Sequence, residues 1–399
     1  MSRSVDALVE PRMLVWARKR LGLEPSIAAH KINVTEAKLA EWERGISRPT
    51  IVQAINLAEL YHTPLSALYL DAPPRDFSVK AADFRRVGGA ESMPWSPQLR
   101  VEWLRANVRR ETAMELAEDA ASATFAGYRS ATVAADAEEE AMKWRGVLGI
   151  DLALQREMGE SEEAGIGKWR SAVESQNVLV CFTDVHATKI SPEEFRGFAI
   201  SAELFPVITI NAADGKAAQV FTLLHEFAHL LLGESGISNG WLQGAGGGTF
   251  GRTERWCNKF AAALLMPEAA FRAHPLVAEV RAQDDWPDAD IEALAAEFGV
   301  SREAAVRRLL TLEYVSQAFY ERKRSEYAKA YREMRAAKRE EKHFGRSLPH
   351  RIALKRDGRP FARIVFQAFH DRRIGLSDVA GLLQTKVPYV LKMEQELFH

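Results

Sequence analysis

The stretch 222-TLLHEFAHLLLGE-234 places two histidines and a glutamate in the middle of an otherwise apolar run. On a helix, His225 and His229 are four residues apart and lie on one face, one turn from each other. Glu226 reaches over the same face. This is H-E-x-x-H, the pattern in which two imidazoles hold Zn²⁺ and the glutamate is the general base. A five-residue pattern also arises by chance, and the alternative is a pair of buried histidines with satisfied hydrogen bonds. Three ionisable side chains between FTLL and LLL make that alternative expensive.

A zinc hydrolase site needs a third protein ligand, with the fourth position left to water. The segment 254-ERWCNKFAAALLMP-267 offers one: Glu254 opens an apolar helix 25 residues after His229. Glu254 and Asn258 are i,i+4 and face the first helix together. Glu254 completes a His₂Glu set, and Asn258 is placed to orient a ligand from behind. A zinc ion in such a set acidifies water and polarises a carbonyl, and Glu226 is then the group that takes and returns the proton.

Around these two helices the period of the sequence changes. The runs 177-NVLVCF-182 and 206-PVITIN-211 are short, apolar and β-branched, and they predict strands. Helices are expected over 219–232 and 253–267, the second stopped by Pro267. The intervening 233-GESGISNGWLQGAGGGTFGR-252 has eight glycines in twenty residues and reads as a long loop, either flanking the cleft or forming a mobile surface connection. Two short helices are expected at 290–310 around 298-FGVS-301. The Ala-rich stretch from Ala117 to Ala137 reads as a packed connector helix.

The strings 221-FTLLHEFAHLLLG-233 and 254-ERWCNKFAAALLMP-267, preceded by 195-FRGFAISAELFPVITIN-211, resemble the ImmA/IrrE family of metallopeptidases over roughly residues 140–315. The resemblance implies a zincin-like fold with Zn²⁺ on His225, His229 and Glu254, and Glu226 as catalytic base. It implies that an edge strand, here 206-PVITIN-211, pairs with an extended substrate backbone. It implies a protein substrate such as a helix-turn-helix repressor. Cys257 stands where the family usually has alanine; it is either a small packing residue or a redox-sensitive thiol. The motifs name no oxyanion-stabilising group among His186, His274, Tyr314 and Tyr320.

Residues 14–70 resemble the Xre/Cro-type helix-turn-helix, on the strength of 42-WERGISRPT-50 and 57-LAELYHTPLSALY-69. Thr35 is the expected N-cap of the second helix and Gly45 its stop. The resemblance sends the helix near 35–43 into a major groove, with Thr35, Lys38 and Leu39 facing bases and Arg44 and Arg48 reaching phosphates. Pro25 stands where a phosphate-contacting glutamine is usual, and Glu36 and Glu41 oppose binding to a polyanion. Residues 1–74 hold nine Lys+Arg and eight Asp+Glu, so totals give no basic patch. Double-stranded DNA is the expected partner. Protein recognition or a homodimer is the alternative.

The 399 residues suffice for two or three domains, and 47% hydrophobic with 27% charged residues is ordinary for a globular protein. Net charge of −1 names no partner. Two cysteines outside any C-x-x-C pair imply no disulfide framework. There is no signal-type apolar core at the start and no run fit to span a bilayer, so a cytoplasmic protein with no membrane partner is expected. Residues 316–360 carry 14 Lys+Arg against six Asp+Glu. Arg332, Arg335, Lys338 and Arg339, interleaved with Tyr320, Tyr327 and Tyr331, suit single-stranded nucleic acid. The competing reading is a solvated helix laced with i,i+4 pairs through Glu321, Glu326, Glu333, Glu340 and Glu341.

The expected architecture is mainly α with a small mixed sheet (α+β). It comprises a five-helix helix-turn-helix bundle at 1–74, a helical connector at 75–139, a zincin-like domain at 140–315, and a basic helix with a helical C-terminal region at 316–399. The expected function is a zinc endopeptidase that cuts a repressor or antitoxin in response to stress or a mobile-element signal. The rival is a DNA-binding transcriptional regulator whose zincin domain senses and cleaves little; the presence of Glu226 favours the enzyme.

Overall fold

The computed structural model describes residues 5–74, 95–118, 123–159, 162–184, 189–238, 249–279, 284–340 and 348–398, excepting the side chains of 158–159, 162, 164, 236–238, 249–250 and 335–340. The chain forms two compact units, Met1–Arg105 and Ala106–His399.

The first unit contains α1 (Pro11–Arg20), α2 (Pro25–Lys31), α3 (Glu36–Glu43), α4 (Ile51–Leu60) and a 3-10 turn, Leu65–Tyr69. Four α-helices and a 3-10 turn thus occupy the region expected to hold five helices. Caps set the boundaries. The Thr35 hydroxyl accepts from Lys38 N at 3.2 Å, and Thr50 and Gln53 cap α4 reciprocally. Met13, Leu14, Leu39, Trp42, Leu57 and Tyr61 are buried together. A short turn with Asn33 at φ 56° joins α2 to α3. The helix α5 (Pro97–Leu116) begins in this unit and ends in the second.

In the second unit, α6 (Ala137–Leu148), α7 (Leu152–Gly159) and α8 (Glu162–Glu174) lead to a four-stranded sheet. Its strands are β1 (Leu179–Phe182), β2 (Gly197–Ile200), β3 (Val207–Ile210) and β4 (Gly236–Ser238), in the order β1-β3-β2-β4. β1 runs parallel to β3, and the β2–β3 and β2–β4 pairs are antiparallel. One face, with Val180, Phe182, Ala199, Ile208 and Ile210, packs against helices that include α9 (Lys216–Leu232). Every residue of α9 from Gln219 to Leu231 is buried, as befits a helix apolar all round.

Three expectations about this unit are corrected. The strand around 206–211 is not an edge: β3 is paired on both sides, and β4 is the edge strand beside β2. Continuous apolar runs mark buried strands, and β3 is buried throughout. The glycine-rich stretch is not all loop, because Gly236–Ser238 is β4 and α10 (Thr249–Leu265) already runs from Thr249; residues 239–248 lie outside those described. Nor does the Ala-rich stretch form one connector helix, for the described residues 123–136 are mainly turns. There Phe125 N bonds Glu203 O at 2.8 Å and Ala131 N bonds Leu231 O at 3.1 Å, with both side chains buried. Those long-range bonds override the helix propensity of alanine.

Helices α11 (Glu268–Ala273), α12 (Pro275–Ala278), α13 (Asp288–Glu297), α14 (Arg302–Thr311) and α15 (Gln317–Glu340) follow. The last four are α16 (Pro349–Asp357), α17 (Arg359–His370), α18 (Leu376–Leu382) and α19 (Val387–Phe398). They are not a loose tail. The Cys181 thiol of β1 donates to Asp357 O at 3.5 Å, and the buried Asp357 carboxylate accepts from Arg109 at 2.7 Å and Arg356 at 2.6 Å. No helix among the described residues is long and apolar enough to cross a membrane.

Candidate metal centre

Helices α9 and α10 bring His225, His229 and Glu254 together. The two imidazole Nε2 atoms are 3.2 Å apart, and the Glu254 oxygens lie 3.3 Å from His225 Nε2 and 3.2 Å from His229 Nε2. Ligands bonded at ~2.0–2.1 Å to a tetrahedral Zn²⁺ stand roughly 3.4 Å from one another. The observed separations are of this size, with His225 facing Glu254 Oε2 and His229 facing Oε1, so the three residues can each offer one atom to such an ion. Both histidines are almost fully buried, and the Glu254 side chain is 15% exposed. Burial alone would raise the Glu254 carboxyl; bonding to His225 and His229 outweighs it and holds the group well below its ordinary value. The Nδ1 atoms of both histidines are buried with no hydrogen-bond partner among the described residues.

The rigidity of this arrangement comes from the elements behind it. Gly233 ends α9 in the left-handed conformation at φ 71°, one residue beyond the last apolar turn. The far end of α10 is held by buried polar side chains: Arg145 Nη1 donates to Leu264 O at 2.5 Å, and Gln155 Nε2 to Leu265 O at 2.8 Å. Burial pulls the Arg145 guanidinium down to about 10, so it is still a cation at neutral pH, at the negative end of the helix dipole. Trp256 Nε1 donates to Ala135 O at 2.8 Å. The turn segment misread as helix thus anchors the helix that carries Glu254.

Glu226 is fully buried. It shares its surroundings with Glu254, because both carboxylates, after burial itself, push the Cys257 thiol well above its ordinary value. Cys257 is fully buried in the hydrophobic core, where it packs as a small residue. Asn258 is half-buried and hydrogen-bonds neither histidine nor Glu254 among the described residues; the orienting role expected for it has no contact behind it.

Sequence reasoning passed over one residue at this site. A Cβ built on Gly197 of β2 would stand 3.2 Å from both Cγ and Oε1 of Glu226. A lone glycine inside a short apolar strand marks a close approach and was the available signal.

Of the groups considered for oxyanion stabilisation, His274, Tyr314 and Tyr320 are engaged elsewhere. His274 Nδ1 accepts from Leu276 N, the Tyr314 hydroxyl accepts from Arg272, and the buried Tyr320 contacts Glu303 through its hydroxyl. His186 lies outside the described residues.

The residues expected to meet nucleic acid fare differently from the metal set. Leu39 is buried in the core of the first unit, which corrects its placement toward a groove: it packs with Trp42 inside the bundle. Thr35 caps α3, and Lys38 Nζ is tied to Glu41 at 2.8 Å and Ser47 at 3.1 Å. Arg44 and Arg48 are exposed. On α15, Arg332 is exposed, while the side chains of Arg335, Lys338 and Arg339 lie outside those described. The aromatic half of the single-strand reading is spent internally. Tyr320 is buried, the Tyr327 hydroxyl donates to Asp288 at 2.8 Å beneath Arg302, and the Tyr331 hydroxyl reaches Asp214 at 3.4 Å.

Residues 173–310 match the family model described as the IrrE N-terminal-like domain, Peptidase_M78. The match spans β1 to α14 and includes both helices that carry His225, His229 and Glu254, and it marks this segment as a metallopeptidase-type module. No curated protein and no solved structure matches the chain.

Proposed function

We propose that the chain is a Zn²⁺-dependent endopeptidase with a zincin-like catalytic domain, acting on a regulatory protein such as a helix-turn-helix repressor or antitoxin. One observation carries the reading: two imidazole nitrogens and a carboxylate converge at 3.2–3.3 Å, on two helices, beside a buried glutamate. In this reading His225 Nε2, His229 Nε2 and the Glu254 carboxylate hold the ion. A bound Zn²⁺ supplies acidification of water and polarisation of a peptide carbonyl. The Glu226 carboxylate accepts a proton from the attacking water and delivers it to the leaving amine nitrogen. β4 is the strand edge available to an extended substrate, in place of the strand expected from sequence.

The first unit serves as a helix-turn-helix recognition module in this proposal, supported by the short α2–α3 turn with its left-handed Asn33. Of its two uses, the surface favours protein over DNA. Lys38 is closed on Glu41 and Ser47, Leu39 is buried, and α3 carries the acidic Glu36 and Glu41 at its surface, whereas Glu43 is taken up by Arg18.

The test pairs metal analysis with a proteome. Wild type and Glu226→Gln should both bind one zinc per chain, and only wild type should deplete a specific protein in cells and accumulate its fragments. Identical proteomes at equal expression would overturn the enzyme reading and leave the metal site standing.

A further inference from the structure

The strand β2 turns two small residues, Gly197 and Ala199, toward α9, the helix that carries His225 and His229. At Gly197 the approach is closest. A Cβ there would lie 2.5 Å from Thr222 Cγ2 and 3.2 Å from both Cγ and Oε1 of Glu226. The backbone does not ask for glycine: Gly197 is an ordinary strand residue outside the left-handed region, paired with Ile210 on one side and Ser238 on the other. A glycine in mid-sheet costs strand stability, so its use here needs a steric reason. Two neighbours supply one, and they differ in kind. The Thr222 methyl concerns the packing of helix on sheet. Glu226 concerns the chemistry.

We infer that Gly197 is a positioning residue, whose missing side chain sets where the Glu226 carboxylate stands against the sheet. One methyl group at this point forces Glu226 to move by a few tenths of an ångström or to change rotamer, because the interior is close-packed and offers no slack. The three atoms nearest such a methyl belong to Thr222 and Glu226 and none to His225, His229 or Glu254, so the strain falls first on the proton acceptor and not on the proposed ligands. The catalytic consequence rests on the reading of Glu226 as proton acceptor; the steric coupling of residues 197 and 226 does not.

The experiment is a stability cycle in the full-length protein, read by thermal unfolding and zinc content. Gly197→Ala should lower Tm by roughly 5 °C and keep one zinc per chain. Thr222→Ser removes Cγ2, the nearest atom, and should return part of that loss. Glu226→Ala removes the other two atoms. In a Thr222→Ser, Glu226→Ala background the same change at 197 should cost little or nothing. Gly146→Ala, inside α6 where a Cβ meets nothing within 4 Å, is the clash-free control and should hold or slightly raise Tm. On a substrate of the wild-type protein, Gly197→Ala in the Thr222→Ser background should still lower kcat at least tenfold with KM unchanged. Full recovery of both Tm and kcat by Thr222→Ser would overturn the inference, because packing alone would then explain the glycine. So would a cost at 197 that Glu226→Ala does not reduce. If wild type cleaves nothing, the peptidase reading fails and the Tm cycle still decides the role of Gly197.

Discussion

Two clusters of three polar side chains, one in each unit, behave in opposite ways. In α3 and the turn after it, the Lys38 ammonium sits between the Glu41 carboxylate at 2.8 Å and the Ser47 hydroxyl at 3.1 Å, partly exposed. Donor and acceptors satisfy one another, and the cluster asks for nothing more. In the second unit, His225, His229 and Glu254 direct two ring nitrogens and a carboxylate at one another from buried positions. Lone pairs that converge away from water need a cation between them. A third cluster shows that burial alone is not the signal. Asp357 is buried too, but Arg109 and Arg356 already supply its counter-charge. What distinguishes the His225–His229–Glu254 cluster is that its only partners for one another are groups that can each also donate a lone pair to a metal, with no Lys or Arg among them.

The contrast breaks first at the metal. His229→Ala and Glu254→Ala should each weaken zinc binding by more than roughly 100-fold, read as metal content after dialysis against a chelator. Retained zinc in either variant would mean that the convergence is fortuitous. Glu226→Gln should keep the metal and slow cleavage by about 10²–10⁴-fold, the usual worth of a positioned proton acceptor. Zinc lost along with activity would place Glu226 among the ligands.

The closed charge cluster sharpens the comparison through stability. Asp357→Ala removes the carboxylate that Arg109 and Arg356 share, leaving Asp184 at 3.9 Å from Arg356, and should cost about 3–5 kcal/mol, measured by denaturant unfolding. A much smaller loss would show that this layer tolerates charge without a partner. Asn258→Ala should change zinc affinity less than about twofold, since Asn258 hydrogen-bonds none of the three residues among those described. A tenfold loss would reinstate the orienting role. Smallest of all, Glu41→Ala should leave the unfolding midpoint unchanged, because the pair it breaks lies at the surface. It frees Lys38, so if α3 binds DNA, affinity at low salt should rise. If binding stays absent, protein recognition is the use of this unit.

Much of this protein was legible residue by residue. Spacing alone put His225 and His229 on one helical face. Glu254 at the head of an apolar run pointed to the carboxylate that the helix beginning at Thr249 brings to the histidines, and Thr35 announced the start of α3. These are local matters, governed by the period of the helix and by the orphan donors at its first turn. What only the tertiary structure decided is long-range. β3 and β4 are both short strands, and which is the edge depends on pairing order rather than on either sequence. Leu39 and Tyr320 lie on helices with more than one candidate face, and packing chose the buried one. The alanines near residue 131 favour helix, yet a backbone bond to Leu231 holds them in turns. Gly197 carries no chemistry that a sequence can advertise, and its meaning came from Glu226 lying against it across 29 residues of chain. Propensity and spacing are summed along the chain, whereas steric exclusion acts between segments that only folding makes neighbours.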